Sequence, residues 1–532
     1  MSVRKQVISI LPVIFLSTGC SESIKQDLKP NVVVMYIDDL DFDELGYYGS
    51  INLTPNIDKL ASEGMNFTRA YVTSTVCTPS RYGLVTGNYA SRSIAIQENP
   101  ASTWRNRLYP PGTDANVHFN CILTPGEKTF GNYMHEAGYV TGMVGKWHMG
   151  GSAKGEYIYK DSDGNFTKPK IPLNKEESYD SPYNQQSIKE HYKTITNYIK
   201  ENFGFDFVDG FFEQNASGLR QSGYPEIYQK HNLEWITANG QKFIRENKDI
   251  PFFLYYALTL PHGEQGGFKE NIESSELTIT PGGRIDKMPE TGMPDRNKLS
   301  ERCKAADLKP ASMAMMYVDD AVGALLNTLK EEGLEENTIV MFISDHGNYA
   351  KLALFEGGVR VPFIVKWPGI VKAGSSNDQI IANIDVTPTI LEISESNKEI
   401  SFDGISFLSL LKGSKESIRE ALLIEVGYAK AIVTKESKLT YIRFPEEEKE
   451  TIEGHGGIDG INYNASNATF AKRQKSNYPG YWDLNQLYDL VNDSAEQKNI
   501  YSDNPEKLEG LEELMKRELD KLPHTFGEIK VK

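Results

Sequence analysis

The stretch that decides the fold is Asn31-Val32-Val33-Val34-Met35-Tyr36-Ile37-Asp38-Asp39-Leu40. Val32 to Ile37 is an unbroken apolar run, too short for a helix and without the alternation of a half-exposed strand. It reads as a strand buried on both faces, the kind found in a parallel sheet covered by helices. Two acids stand at its carboxyl end. Working outward, Pro55 to Ala61 places Ile57, Leu60 and Ala61 on one helical face and stops at Gly64. Thr124 with Glu127 predicts a capping box for a helix ending at Gly138. Tyr139–Val144, Phe252–Leu258 and Ile339–Ile343 read as further core strands, and Asp319–Leu329 as the helix feeding the last. The pattern predicts an α/β domain over 31–395, with a large mixed, mainly parallel sheet sandwiched by helices. Between about 150 and 250 the chain is polar and poorly periodic, which predicts long loops and short helices on the ligand-binding rim. Beyond 395, strand-like Leu422–Val426, Lys430–Thr434 and Leu439–Arg443 precede a charged helix, Pro505–Leu519. Residues 396–532 are expected to form a smaller antiparallel sheet closed by that helix.

Of 532 residues, 39% are hydrophobic, with 44 glycines and 25 prolines, which excludes a disordered or low-complexity chain. The 57 basic and 73 acidic residues give a net charge of −16 with no basic run, so no nucleic-acid partner is expected. An anionic substrate must then be held by a few well-placed cations. At the amino end Arg4 and Lys5 precede the apolar Val7–Leu16 and then Ser17-Thr18-Gly19-Cys20, a secretory leader over residues 1–19. The small residues before Cys20 resemble a bacterial lipobox, which would make Cys20 a lipid anchor; Ser17-x-Gly19 equally suits ordinary leader cleavage. In an exported protein Cys121 and Cys303 either pair or stay free.

Four polar clusters directly follow predicted strands: Asp38-Asp39, Lys146-Trp147-His148, His262 after Pro261, and Asp345-His346. Each alone also suits a helix cap or a turn. In an open parallel sheet, however, ligands bind outside the carboxyl ends of the strands, so the four are expected to share one site. A fifth cluster, Cys77-Thr78-Pro79-Ser80-Arg81, lies on a loop entering a helix through Leu84, where free N–H groups and the helix dipole favour an anion.

This constellation resembles the type I sulfatases of the alkaline phosphatase superfamily. Their C-x-P-S-R signature is met in full at 77–81, with Gly87 where their signature ends in Thr-Gly. The likeness continues through Asp38-Asp39, Gly145-Lys146-Trp147-His148, Pro261-His262 and Ser344-Asp345-His346-Gly347. It extends over Lys351 with Phe355-Glu356-Gly357-Gly358-Val359-Arg360, and over Leu487-Tyr488-Asp489.

The resemblance implies the sulfatase fold and a set of roles. Cys77 would be converted by a formylglycine-generating enzyme to 3-oxoalanine (formylglycine), whose hydrate attacks sulfur and then expels sulfate by re-forming the aldehyde. Asp38, Asp39, Asp345 and His346 would join the modified Cys77 around one divalent cation, Ca²⁺ by family habit; His346, where Asn is common, leaves Mg²⁺ as the alternative. Arg81 would hold the hydrate, Lys146 and Lys351 would neutralise the sulfate, His148 would act as base, and His262 would protonate the leaving oxygen. The implied location is the periplasm, or the outer membrane as a lipoprotein, of a Gram-negative bacterium. The implied substrate is a sulfated polysaccharide, marine algal glycan such as ulvan or carrageenan before glycosaminoglycan or aryl sulfates. Trp104, Arg105, Arg107 and His118 are candidate sugar contacts. The rivals are a formylglycine-dependent phosphodiester or phosphonate hydrolase and, outside the enzymes, a glycan-binding surface lipoprotein.

Overall fold

The computed structural model describes residues 29–98, 117–150, 159–160, 166–167, 170–262, 276–396, 400–443, 476–524, 526 and 529. The leader, Cys20, Trp104, Arg105 and Arg107 lie outside these residues.

The decisive stretch is strand β1 (Asn31–Asp38), every residue of it buried. Val32, Val34 and Tyr36 enter one hydrophobic core and Val33, Met35 and Ile37 the other. The unbroken apolar run therefore has a direct cause: side chains alternate across the strand, and both faces are covered. The remaining strands of the sheet are β2 (Met65–Phe67), β3 (Val140–Lys146), β4 (Phe207–Phe212), β5 (Phe252–Pro261), β6 (Thr338–Ser344), β7 (Phe363–Lys366) and β8 (Ser375–Asn377). Their spatial order is β8-β2-β7-β6-β1-β5-β3-β4. β6, β1, β5, β3 and β4 run parallel, β7 pairs antiparallel with both neighbours, and β8 is parallel to β2. The sheet is mixed and mainly parallel, as expected.

Helix α1 (Pro55–Glu63) buries Ile57, Leu60 and Ala61, the face read from the sequence. Helix α2 (Cys77–Thr86) is buried along its whole length and ends at Gly87, whose φ of 72° closes the helix through an N–H bond to the Gly83 carbonyl. Helix α3 starts later than predicted, at Phe130–Glu136, with Thr129 and Asn132 forming its capping box. Thr124 and Glu127 do bond to each other (Oγ1 to Oε2, 2.8 Å), but in a turn ahead of the helix. The larger correction falls between 150 and 250. That region holds helix α4 (Pro182–Phe203, 22 residues), edge strand β4, and helix α5 (Leu233–Glu246). The buried face of α4 mixes Ile188, Ile195, Ile199 and Phe203 with Asn184, Ser187, His191 and Thr196. These polar residues erase the apolar period from which an amphipathic helix is read. The helix feeding β6 is α6 (Ser312–Glu331), and α7 (Val386–Ile393) packs beside α2.

The C-terminal part forms an antiparallel sheet of β9 (Leu422–Val426), β10 (Ala429–Val433), β11 (Ser437–Ile442) and β12 (Asn485–Asp489), in sequential order. Helix α8 (Pro505–Leu519) covers it with Leu511, Met515 and Leu519, in a third core that also takes in Phe355 and Val359. Cys121 and Cys303 are free and buried. Among the described residues no helix is long and apolar enough to cross a membrane.

Candidate functional site

The parallel register builds the site. Ile37 of β1 lies level with Ser344 of β6, so the acids that follow each strand emerge side by side. The Asp345 amide donates to the Ile37 carbonyl (2.8 Å), and the Asp39 amide to Asp345 Oδ1 (3.0 Å). On the other flank of β1, Asp38 lies level with Pro261 at the end of β5, which delivers His262 to the same place. In β3 the register shifts between Met143 and Gly145. Gly145 has φ of 91°, and a Cβ there would come within 1.8 Å of the Ala257 carbonyl oxygen; only glycine permits the kink that precedes Lys146. Asp39 (φ 64°) and His148 (φ 54°) also hold the left-handed conformation, uncommon outside glycine and recurrent at functional sites.

Cys77 is the first residue of α2, with its Sγ 3.2 Å from His346 Nε2 and 4.0 Å from Lys351 Nζ. Two sets of donor atoms converge on it, Asp39 with His346 and Asp38 with Asp345, each set within 4.8 Å. Lys146 Nζ sits 2.6 and 2.7 Å from the two oxygens of Asp38, and Lys351 Nζ 2.7 and 2.9 Å from those of Asp39. Arg81 bonds Asp345 Oδ2 through Nε (3.1 Å) and Nη2 (2.9 Å), and reaches Asp38 Oδ1 at 3.4 Å. Its Nη1 donates to the Lys146 carbonyl (3.1 Å) and the Tyr255 hydroxyl (3.3 Å), while its plane lies 5.2 Å from the Tyr36 ring.

Protonation follows from burial and charge. Burial works to raise Asp38, but Lys146, His262 and Arg81 outweigh it and hold Asp38 well below its usual value. Burial and then the Asp38 charge push Asp345 up to about 8; neighbouring carboxylates are driven apart because both resist ionising together. Burial raises the Cys77 thiol. It lowers His346 to about 4, His262 to about 3, and His148 well below its usual value with help from Lys146. His346 Nδ1 lies 3.1 Å from the Gly347 carbonyl, so the neutral ring carries its proton there and turns the bare Nε2 toward Asp39 and Cys77. The donor set fits a divalent cation: carboxylate oxygens dominate, and one imidazole nitrogen faces inward without a proton.

All ten predicted site residues gather here: Asp38, Asp39, Cys77, Arg81, Lys146, His148, His262, Asp345, His346 and Lys351. Of the candidate sugar contacts, His118 is only 2% exposed, packed edge-on against Phe119, whose ring in turn meets His148 at 5.5 Å; it is no rim residue. Four contributors were missed. Asn215 Nδ2 lies 2.8 Å from His262 Nε2, and the Glu213 carbonyl accepts the His148 amide (2.9 Å); both follow β4, a strand hidden by its polar surroundings. Tyr255 meets Arg81 from inside β5. Asp41 Oδ1 accepts the amides of Asn348 (2.6 Å) and Tyr349 (2.9 Å), and so holds the loop that carries Lys351.

Known proteins resemble this chain in sequence and in fold. Residues 30–396 match the family described as Sulfatase, and residues 344–525 the one described as N-sulphoglucosamine sulphohydrolase, C-terminal. An N-acetylgalactosamine-6-O-sulfatase of Bacteroides thetaiotaomicron is 24% identical, covering 96% of this chain and 98% of its own. The ulvan-active sulfatase of Formosa agariphila is 27% identical over 84% of this chain and 81% of its own. A solved structure in complex with its substrate D-glucosamine-2-N,6-O-disulfate shares the fold, with a TM-score of 0.56 and 18% identity, over 93% of this chain and 98% of that one. The chain belongs to the sulfatase family and is a hydrolase of sulfate esters.

Proposed function

We propose that this sulfatase removes sulfate from a sulfated polysaccharide or its oligosaccharides. Cys77 matures to formylglycine, and Asp38, Asp39, Asp345, His346 and the matured residue 77 hold one divalent cation, Ca²⁺ in preference to Mg²⁺. The observation that carries this reading is the convergence of Cys77 with three carboxylates and three cationic side chains in one buried cluster at the strand ends. When present, the cation supplies Lewis acidity and the matured residue supplies a diol oxygen as nucleophile.

The chain's own residues do the rest. With all carboxylates ionised, Asp38, Asp39 and Asp345 balance Arg81, Lys146 and Lys351. A bound dication tips that balance positive, which suits an anionic ester in a chain whose overall charge is −16. Arg81, engaged with Asp345, Asp38 and Tyr255, orients the carboxylates. Lys146 and Lys351 sit where they can turn from carboxylate to sulfate oxygen. His148, kept neutral by burial and Lys146, has an Nδ1 without a hydrogen-bond partner among the described residues and serves as the base. His262, steadied by Asn215, is the donor to the leaving oxygen; an anionic ester beside it favours its charged form.

The relatives named above act on ulvan and on N-acetylgalactosamine 6-sulfate, which supports algal glycan and amino-sugar sulfates as the two substrate candidates. The fold of residues 31–395 and 396–532 as catalytic and supporting domains belongs to the same reading, as do export and the maturation enzyme. Mass analysis of the tryptic peptide Ala70–Arg81 from the natural host, with sulfate release from a panel of defined sulfated oligosaccharides, tests it. An unmodified Cys77 thiol in active enzyme refutes the covalent route. Turnover of phosphate diesters at rates matching sulfate esters moves the chain to the rival hydrolase class.

A further inference from the structure

Two motifs remain without a part in the chemistry: Phe355-Glu356-Gly357-Gly358 and the segment that begins with Leu487-Tyr488-Asp489. In space they meet. The loop leaving β6, which carries Asp345, His346 and Lys351, rests on the 355–360 segment: the Gly347 amide donates to the Gly358 carbonyl (2.9 Å) and the Ala350 amide to the Gly357 carbonyl (3.2 Å). The contact leaves no room for side chains. A Cβ on Gly347 would lie 2.4 Å from the Gly357 oxygen, and one on Gly358 2.5 Å from the Ala350 oxygen.

The 355–360 segment is gripped in turn by the C-terminal subdomain. The Phe355 ring stacks on Tyr478 at 4.1 Å and 10° and meets Tyr488 edge-on at 5.9 Å. A Cβ on Gly357 would strike the Tyr478 hydroxyl at 2.4 Å. The Glu356 amide donates to Glu496 Oε2 (2.5 Å), and its side chain receives Lys438 Nζ (3.0 Å) and the Tyr71 hydroxyl (3.3 Å). Lys438 Nζ also lies 2.8 Å from Glu496 Oε1, and both side chains are fully buried. Glu496 itself has φ of 55°, a conformation that favours glycine. A strained glutamate and a buried lysine flanked by two carboxylates make poor stabilisers compared with an apolar cluster of the same volume.

We propose that Glu496 and Lys438 are positioning residues for Lys351, so that the C-terminal subdomain completes the active site from behind through Glu356-Gly357-Gly358. The inference rests on the reading of Lys351 as a sulfate-binding cation. Loss of the brace lets the 345–351 loop move, and Lys351 loses its place beside Asp39 and Cys77.

The test uses the full mature enzyme with converted Cys77, 4-nitrophenyl sulfate as substrate and inorganic sulfate as competitive inhibitor. Glu496→Ala is expected to lower kcat/KM and weaken sulfate inhibition by about 10- to 100-fold, the range found when outer partners of a site are removed. Glu496→Gln, which still accepts the Glu356 amide, is expected to recover most of both. Tyr478→Leu, which removes only the stacked ring, gives the same pattern at smaller amplitude and serves if Glu496→Ala does not fold. Sulfate inhibition and kcat/KM within twofold of the parent, with only the melting temperature lowered, overturn the brace. A Lys351→Ala enzyme with undiminished activity overturns instead the site reading beneath it.

Discussion

Replacing Arg81 with lysine keeps the charge and removes the geometry. In the structure the guanidinium makes five contacts: two to Asp345 Oδ2, one to Asp38 Oδ1, one to the Lys146 carbonyl and one to the Tyr255 hydroxyl. All are buried, so water replaces none of them. A lysine ammonium offers three donors from a single point and cannot span carboxylates on β1 and β6 together with acceptors on β3 and β5. At least two contacts are lost. Hydrogen bonds to charged groups contribute about 1.5–3 kcal/mol each, so the change costs about 3–6 kcal/mol. Part of this appears as a lower melting temperature. The part that falls on the transition state lowers kcat/KM, tenfold for each 1.36 kcal/mol, up to about 100-fold for the smaller figure and about 10,000-fold for the larger. The assay is sulfate release from 4-nitrophenyl sulfate by Arg81→Lys enzyme whose conversion at Cys77 has been checked by peptide mass. Tyr255→Phe, which removes only one of the five contacts, serves as the milder control at about 1.5–3 kcal/mol. A fully converted Arg81→Lys enzyme within tenfold of the parent kcat/KM would refute the view that Arg81 acts by tying the carboxylates together.

Exchanging His262 for alanine is expected to reduce turnover of sugar sulfates far more than that of 4-nitrophenyl sulfate, whose leaving group needs little protonation; equal losses remove the acid role. Treatment with a chelator is expected to abolish activity and lower the melting temperature, since an ion held only by the folded site no longer adds its binding energy to folding, and added Ca²⁺ restores both. Cys77→Ala is expected to end turnover while leaving the melting curve close to that of the parent. Glu496 lies among Lys438, Glu356, Tyr478 and Tyr488, and burial, with Glu356 beside it and Lys438 opposing, pushes it up to about 7. A raised carboxyl favours the fold below its unfolded value of 4.5, and this contribution is lost as pH rises to about 7, to a limit of about 3 kcal/mol. Thermal melts between pH 5 and 8 are therefore expected to show a steeper loss of stability in the parent than in Glu496→Gln, and parallel curves contradict it.

How much was legible varied with the kind of signal. β1, β5 and β6 could be read because strands buried on both faces become continuous apolar runs too short for a helix, and β3 because a helix stop at Gly138 precedes its largely apolar segment. The polar pairs after them were visible for the same reason, standing where apolar runs stop. α4 and β4 were hidden because Asn184, Ser187, His191 and Thr196 are buried through specific bonds, such as Asn184 Nδ2 to the Asn174 carbonyl (2.9 Å) and His191 Nε2 to Glu213 (2.5 Å). Burial of that kind depends on partners distant in the chain and leaves no period. With β4 went Glu213 and Asn215, and so the supports of His148 and His262.

By itself, then, the sequence determined the alternation of strand and helix, the export-type leader pattern, and the ten side chains that the fold gathers at the strand ends. Only the tertiary structure decided which strands are neighbours, and therefore that Asp38-Asp39 and Asp345-His346 emerge level with each other across β1 and β6. It alone brought Glu496 and Lys438 from the C-terminal subdomain to the back of the Lys351 loop. The physical reason is the same in both cases. Periodicity and turn chemistry are local and are written along the chain, whereas register and the pairing of buried charges are set by contacts between residues far apart in it.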